Sequence, residues 1–199
     1  MTAIFQMLAC VVVLASAIPT AIATAKREAR PRIATWFILV VFNAVLGGVA
    51  LGNGEQVTAV FALSATVGAT LVLVLALATK PRPYGTADAA CQALACLFMA
   101  LILLTEDPQR TVATVMVVAI GLLSALPAVY YQLRSQSDEF WGTYLGYAMA
   151  AGIMLAVTDR GDFFAIMLPL FMFSNGGATA LLLLGTWLRT RAVHKAATS

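Results

Sequence analysis

The sequence predicts an all-α membrane protein: seven transmembrane helices, forming two parallel three-helix bundles joined by a linker helix. Three observations predict it. Hydrophobic residues make up 61% of the chain and charged ones 11%, with a mean hydropathy of +0.91, against roughly 25% charged residues in a soluble domain. The chain also repeats itself. Ile18-Pro19-Thr20-Ala21 returns as Leu126-Pro127-Ala128-Val129, Trp36 as Trp141, and Gly68-Ala69-Thr70 as Gly177-Ala178-Thr179, so residues 18 to 79 correspond to 126 to 189 with a one-residue gap. Finally, basic residues fall after alternate apolar stretches. Lys26, Arg27, Arg30, Arg32, Lys80, Arg82, Arg134, Arg189, Arg191 and Lys195 share one side, and Arg110 and Arg160 take the other beside Glu55, Glu106, Asp107, Asp159 and Asp162.

Each element has its own justification, and crossing about 30 Å of hydrocarbon takes roughly twenty residues at 1.5 Å each. The first span, 3 to 24, has no basic residue before it and four soon after, the charge order of an N-out anchor rather than of a cleaved leader. The second, 33 to 52, runs from Arg32 to the turn residues Asn53-Gly54, and the third, 56 to 79, ends at Lys80. The fourth, 84 to 104, opens on Tyr84-Gly85 and carries Asp88 near its start, where a carboxylate reads as a helix cap. The fifth (110 to 133), sixth (139 to 158) and seventh (163 to 188) repeat the first three. The repeat restarts four crossings after it began, so both copies point the same way and the fourth helix is an inversion linker. The organisation is therefore 1–79 for the first bundle, 80–109 for the linker, 110–189 for the second bundle and 190–199 for a polar tail. The positive-inside rule puts the N-terminus outside and the tail in the cytoplasm. Alanine richness with few lysines points to a bacterial cytoplasmic membrane.

Several chemistries lack raw material. His194 is the single histidine, and Cys10, Cys91 and Cys96 lie in apolar spans without metal-ligand spacing, so neither a metal site, a cofactor nor a catalytic residue is predicted. The seventh span has no lysine for a retinal Schiff base. No charged residue sits at mid-span depth, whereas ion-coupled carriers generally keep an intramembrane carboxylate.

Pro19 and Pro127 occupy matching places in the first helix of each copy. Each removes a main-chain donor and disturbs the carbonyl four residues earlier, at Ala15 and Leu123, so the pair reads either as static kinks or as symmetric gating hinges. The three-plus-one-plus-three plan with these prolines resembles the SWEET and PQ-loop superfamily. The resemblance spans nearly the whole chain in architecture. In motif it departs, because Thr20 and Ala128 stand where the family has Gln, and the second helices lack its other prolines. The chain looks like a divergent prokaryotic branch, which it also resembles at Tyr84-Gly85, Asp88, Thr105 and Asp107-Pro108. The resemblance implies that a polar pair at mid-depth in the third helix of each bundle binds solute. By register that pair is Thr66 and Asn175, with Ser174 adjoining.

A second polar line falls on the middle helices. Trp36 and Asn43 share one face, and Trp141, Tyr144 and Tyr147 form a stripe at spacing three. Aromatic walls with one amide suit a neutral polar solute, while an interfacial aromatic belt explains the tryptophans equally well. Tyr130, Tyr131 and Trp187 read as belt. The predicted function is facilitated diffusion of a small neutral solute, sugar-like or vitamin-like, by alternating access. The predicted partners are that solute and the lipid bilayer, without nucleic acid, and homo-oligomerisation is left open. The alternative is a non-transporting receptor, adaptor or assembly factor of the same architecture, and an intramembrane enzyme ranks last.

Overall fold

A computed structural model describes residues 2–52, 54–79, 84–104, 110–134, 140–158 and 163–198. These form α1 (Thr2–Ala25), α2 (Ile33–Gly52), α3 (Gln56–Ala78), α4 (Thr86–Leu104), α5 (Arg110–Leu133), α6 (Trp141–Val157) and α7 (Phe163–Thr198), with no strand among the described residues. Each predicted span lies on one helix. Among the described residues four segments are long and apolar enough to cross a membrane: Ile4–Ala25, Ile33–Gly52, Gln56–Ala78 and Pro169–Arg189. The apolar segments described for α4, α5 and α6 are shorter, at 10–17 residues. Valines and leucines such as Val11, Val67, Leu181 and Leu188 point outward along these helices, as lipid-facing surfaces require. The helices are those of a membrane protein.

The seventh helix runs on past its predicted span. The predicted tail, 190–199, continues α7 as helix through Thr198. Nothing in Thr190-Arg191-Ala192-Val193-His194-Lys195-Ala196-Ala197 breaks a helix, and arginine, lysine and alanine are strong helix formers, so polarity there marks the end of the span but not of the helix. Lys80, Arg82, Glu106, Asp107, Asp159, Arg160 and Asp162, which carry part of the charge asymmetry, lie outside the described residues, as do Thr105 and Pro108.

The helices close into a ring. α3 packs against both α1 and α2, and α7 against both α5 and α6; α1 lies beside α6, α2 beside α5, and α4 covers α2 and α5. Among the described residues the backbones of α1 and α2, of α5 and α6, and of α3 and α7 stay more than 8 Å apart, Cα to Cα, so any contact between them is made by side chains. Around the ring the order is α1, α3, α2, α5, α7, α6. Side-chain contacts show which ends meet. Ala17 and Ala21 late in α1 cluster with Trp36 early in α2 and with Ala69 and Val72 late in α3. Ala128 late in α5 clusters with Tyr144 and Trp141 early in α6 and with Ala180 and Leu183 late in α7. Successive helices therefore run in alternating directions. The shared end, where α1 finishes and α2 begins, is called the basic end below for Lys26, Arg27, Arg30 and Arg32.

Small residues set the closest approaches. α1 buries Ala9, Val13, Ser16, Ala17, Thr20, Ala21 and Thr24, a stripe at spacings of three and four, and α6 buries Thr143, Tyr147, Ala150, Ala151 and Met154. Thr20 Oγ1 and Thr143 Oγ1 share a hydrogen bond of 2.5 Å across this seam. A methyl group at Gly146 would collide with the Ser16 side chain, and one at Gly176 would lie 3.1 Å from the Tyr144 carbonyl. Such backbone proximity is how membrane helices gain packing energy where lipid is as apolar as leucine. Other threonine hydroxyls bond their own helix. Thr24, Thr66, Thr70, Thr79 and Thr158 each donate to the carbonyl four residues earlier, since hydrocarbon supplies no acceptor.

Candidate functional site

At mid-depth the repeat is more specific than the prolines alone. Ser16-Ala17-Ile18-Pro19 matches Ser124-Ala125-Leu126-Pro127, and both serines are buried. Ser16 donates to the Val13 carbonyl at 2.7 Å and Ser124 to the Gly121 carbonyl at 2.6 Å. Each helix runs through its proline unbroken. A serine drawing the carbonyl three residues back, in the same turn region where proline deletes a bond, adds a second local perturbation of the ladder. α7 also contains a proline, Pro169, which has no counterpart in α3.

The predicted solute-binding residues are spread among several environments. Asn175, half-buried, donates through Nδ2 to the Gly121 carbonyl of α5 at 3.3 Å, the same oxygen that receives Ser124. Thr66 bonds the Ala62 carbonyl of its own helix at 2.9 Å. Because α3 and α7 are not neighbours, the structure does not bring Thr66 and Asn175 into contact. Ser174 is exposed, one position round the helix from the face that Asn175 presents to α5. Asn43 is buried; its Nδ2 donates to the Leu39 carbonyl at 2.7 Å, and its Oδ1 has no hydrogen-bond partner.

Trp36 and Trp141 both pack against neighbouring helices. Trp36 is 0% exposed and packs among Ala17, Ala21, Ala69 and Val72, so its bulk fills the gap left by alanines on α1 and α3. Trp141 is half-buried against Ala128, Tyr144, Ala180 and Leu183, and its indole N–H is buried without a hydrogen-bond partner. Tyr144 is buried in the same cluster. Tyr147 sends its hydroxyl from α6 to the Ala65 carbonyl of α3 at 3.5 Å.

A buried charge cluster at the basic end was not singled out from the sequence. Asp88, 1% exposed, accepts the Gly85 backbone N–H at 2.8 Å and lies 3.5 Å from Arg32 Nη1, both at Oδ2. The Gly85 bond is the cap expected of a carboxylate in the first turn. Arg32 is itself buried, 5% exposed, and its guanidinium sits 3.3 Å above the Tyr131 ring. The belt assignment of Tyr131 is thereby corrected: the ring is enclosed, stacked under a cation it stabilises. Tyr130 remains at the surface beneath Arg134 at 4.5 Å. A methyl at Gly85 would strike the Tyr131 hydroxyl, so the glycine makes room for the ring. The signal available in the sequence was Asp88 itself, the one acid set beyond the first residue of a predicted span, because a buried carboxylate must find a cation.

Among the described residues no three His, Cys, Asp or Glu side chains group as metal ligands, and the three cysteines are free thiols. Comparison with protein-family models, with curated proteins and with solved structures found no match.

Proposed function

We propose that this chain is a membrane transporter that carries a small, neutral, polar solute by facilitated diffusion, as a divergent SWEET-like or PQ-loop-like protein. In this reading α1–α3 and α5–α7 are the two parallel halves, α4 is the linker, and the basic end faces the cytoplasm of a bacterial cell with the N-terminus outside. Two arrangements favour the architecture: α3 and α7 hold equivalent central places between their neighbours, and the Ser-Ala-Ile/Leu-Pro kink occurs in both first helices.

The observation that carries the solute-binding reading is a pair of unsatisfied polar atoms. The Trp141 indole N–H and the Asn43 Oδ1 are buried, bond nothing, and belong to the residues expected to contact solute. An unmet buried donor or acceptor costs about 1–3 kcal/mol, a cost that a hydroxylated guest would relieve and an apolar scaffold would have no reason to keep. Flux of radiolabelled neutral sugars and vitamin-like compounds into proteoliposomes tests this. Wild-type protein should move at least one compound, and Trp141→Phe, which keeps a ring and deletes the donor, should abolish that flux. Absence of flux for every compound, together with no ligand-induced thermal shift, would transfer support to the adaptor reading. That second reading draws on Asn175 and Thr66, whose polar groups already bond Gly121 and Ala62.

A further inference from the structure

The two seams that join the halves of the ring are built differently. Between α1 and α6 small side chains interlock, with Ser16 against Gly146 and the Thr20–Thr143 bond between them. Between α2 and α5 the contact is made of bulkier groups, Ile38, Phe42 and Ile120, and α4 is laid across it through Ala95, Met99 and Ile102. Toward the end away from Arg32 this second seam holds a small apolar cavity lined by Phe42, Val45, Leu46, Val49, Met99 and Ile120, among others. At the basic end it is closed by charge. Arg32, immediately before α2, reaches Asp88 on α4 and Tyr131 on α5.

We propose that Arg32 is a pin that closes the α2–α5 seam at the basic end, and that the seam parts there while α1–α6 serves as the hinge. The assignment rests on the transporter reading for its purpose but not for its geometry. The contacts of Arg32 with Asp88 and with Tyr131 cross from the α1–α2 connection to the α4–α5 unit, so one residue holds two helices. Its link to Asp88 is a single Nη1–Oδ2 approach of 3.5 Å, long for a charge-assisted hydrogen bond and therefore mostly Coulombic. Such a contact resists separation without locking geometry, whereas the small-residue seam loses contact along its whole length if it opens. α4 shares the charge cluster and the apolar cluster with α2 and α5 only, so on opening it stays with α5, where Tyr131 lies beside the Gly85 turn.

Thr35 reports on this motion. It is 0% exposed, in the first turn of α2 and three residues before Ile38 on the face toward α4 and α5. In full-length protein with its three cysteines replaced and embedded in nanodiscs, Thr35→Cys should react slowly with a water-soluble maleimide. Arg32→Gln should speed that reaction about tenfold or more, because loss of one partner of a buried pair exceeds what a tenfold population shift needs. Asp88→Asn, which keeps an acceptor for the Gly85 amide, should do the same, and the double variant should exceed neither. Thr143→Cys, at the opposite seam, should stay protected throughout. Unchanged labelling at Thr35→Cys in both single variants, additive effects, or equal release of Thr143→Cys would overturn the pin. Since the readout is labelling rather than flux, a protein that transports nothing in the panel can still pass or fail it.

Discussion

Gly146→Ala puts the packing logic of the α1–α6 seam to a direct test. The new methyl group would overlap the Ser16 Cβ and lie 3.3 Å from its Cα and Oγ. Carbon atoms pack at about 3.5–4.0 Å, so α1 and α6 must separate by roughly an ångström or bend locally. A gap of that size forfeits about a quarter to a half of each contact along the stripe. It also pulls apart the Thr20–Thr143 bond, worth on average about 0.6 kcal/mol between membrane helices. Together with the cost of overpacking, the variant should lose about 1–3 kcal/mol, read as a lowered midpoint in SDS-driven unfolding from mixed micelles. Ser16 supplies the control. Ser16→Ala in the same background retains the offending carbon and should not rescue, while Ser16→Gly removes it and should recover most of the loss despite its own backbone entropy. A neutral Gly146→Ala, or equal rescue by both changes at position 16, would refute the close-contact account.

Other expectations follow from single contacts. Arg27 holds φ 63° at the end of α1, with the Glu28 N–H bonding the Ala23 carbonyl, the same closing pattern that Gly54 (φ 76°) makes after α2; Arg27→Gly should therefore stabilise by about 1 kcal/mol in the same unfolding assay. Asn43→Leu replaces a buried amide whose Oδ1 bonds nothing, so it should raise stability by about 1–3 kcal/mol while abolishing flux; a loss of stability would mean that the amide has a structural partner. Asn175→Ala should cost under about 1 kcal/mol, the usual worth of one interhelical hydrogen bond, and any larger loss of flux would assign it a role beyond that bond to Gly121. Val45→Ile adds one methylene to the cavity under α4 and should stabilise by roughly 0.5–1 kcal/mol.

The positions of the helices were legible because span length is dictated by bilayer thickness and loops by turn residues, and Gly54 and the basic run at 26 to 32 marked their ends plainly. The end of α7 was not, since a polar sequence of good helix formers leaves the span without leaving the helix. Which side chains meet was harder. Trp36 looked like an interfacial residue by its distance from the helix start, but alanines at 17, 21 and 69 on neighbouring helices leave a hollow that only its bulk fills. Asp88 announced a need for a cation, yet Arg32 is 56 residues away, and Lys80, Arg82, Arg110 and Arg134 are all nearer in sequence. Thr66 and Asn175 were paired by register, and register relates copies of a fold without saying that its equivalent positions touch.

The way the two proline-bearing helices are held follows from that asymmetry. Ser16 and Ser124 treat their helices alike, but asparagine at 175 is long enough to reach the Gly121 carbonyl from α7, whereas Thr66 folds back on Ala62. The proline-bearing stretch of α5 is thus tied to α7. α1 has no such tie from Thr66 and is instead bonded a turn later to α6, through Thr20 and Thr143. One stretch is fastened by a neighbour in its own repeat and the other by a neighbour in the opposite repeat. A motion that conserves both fastenings keeps α5 with α7 and α1 with α6, which leaves the α2–α5 seam as the place where the ring can yield.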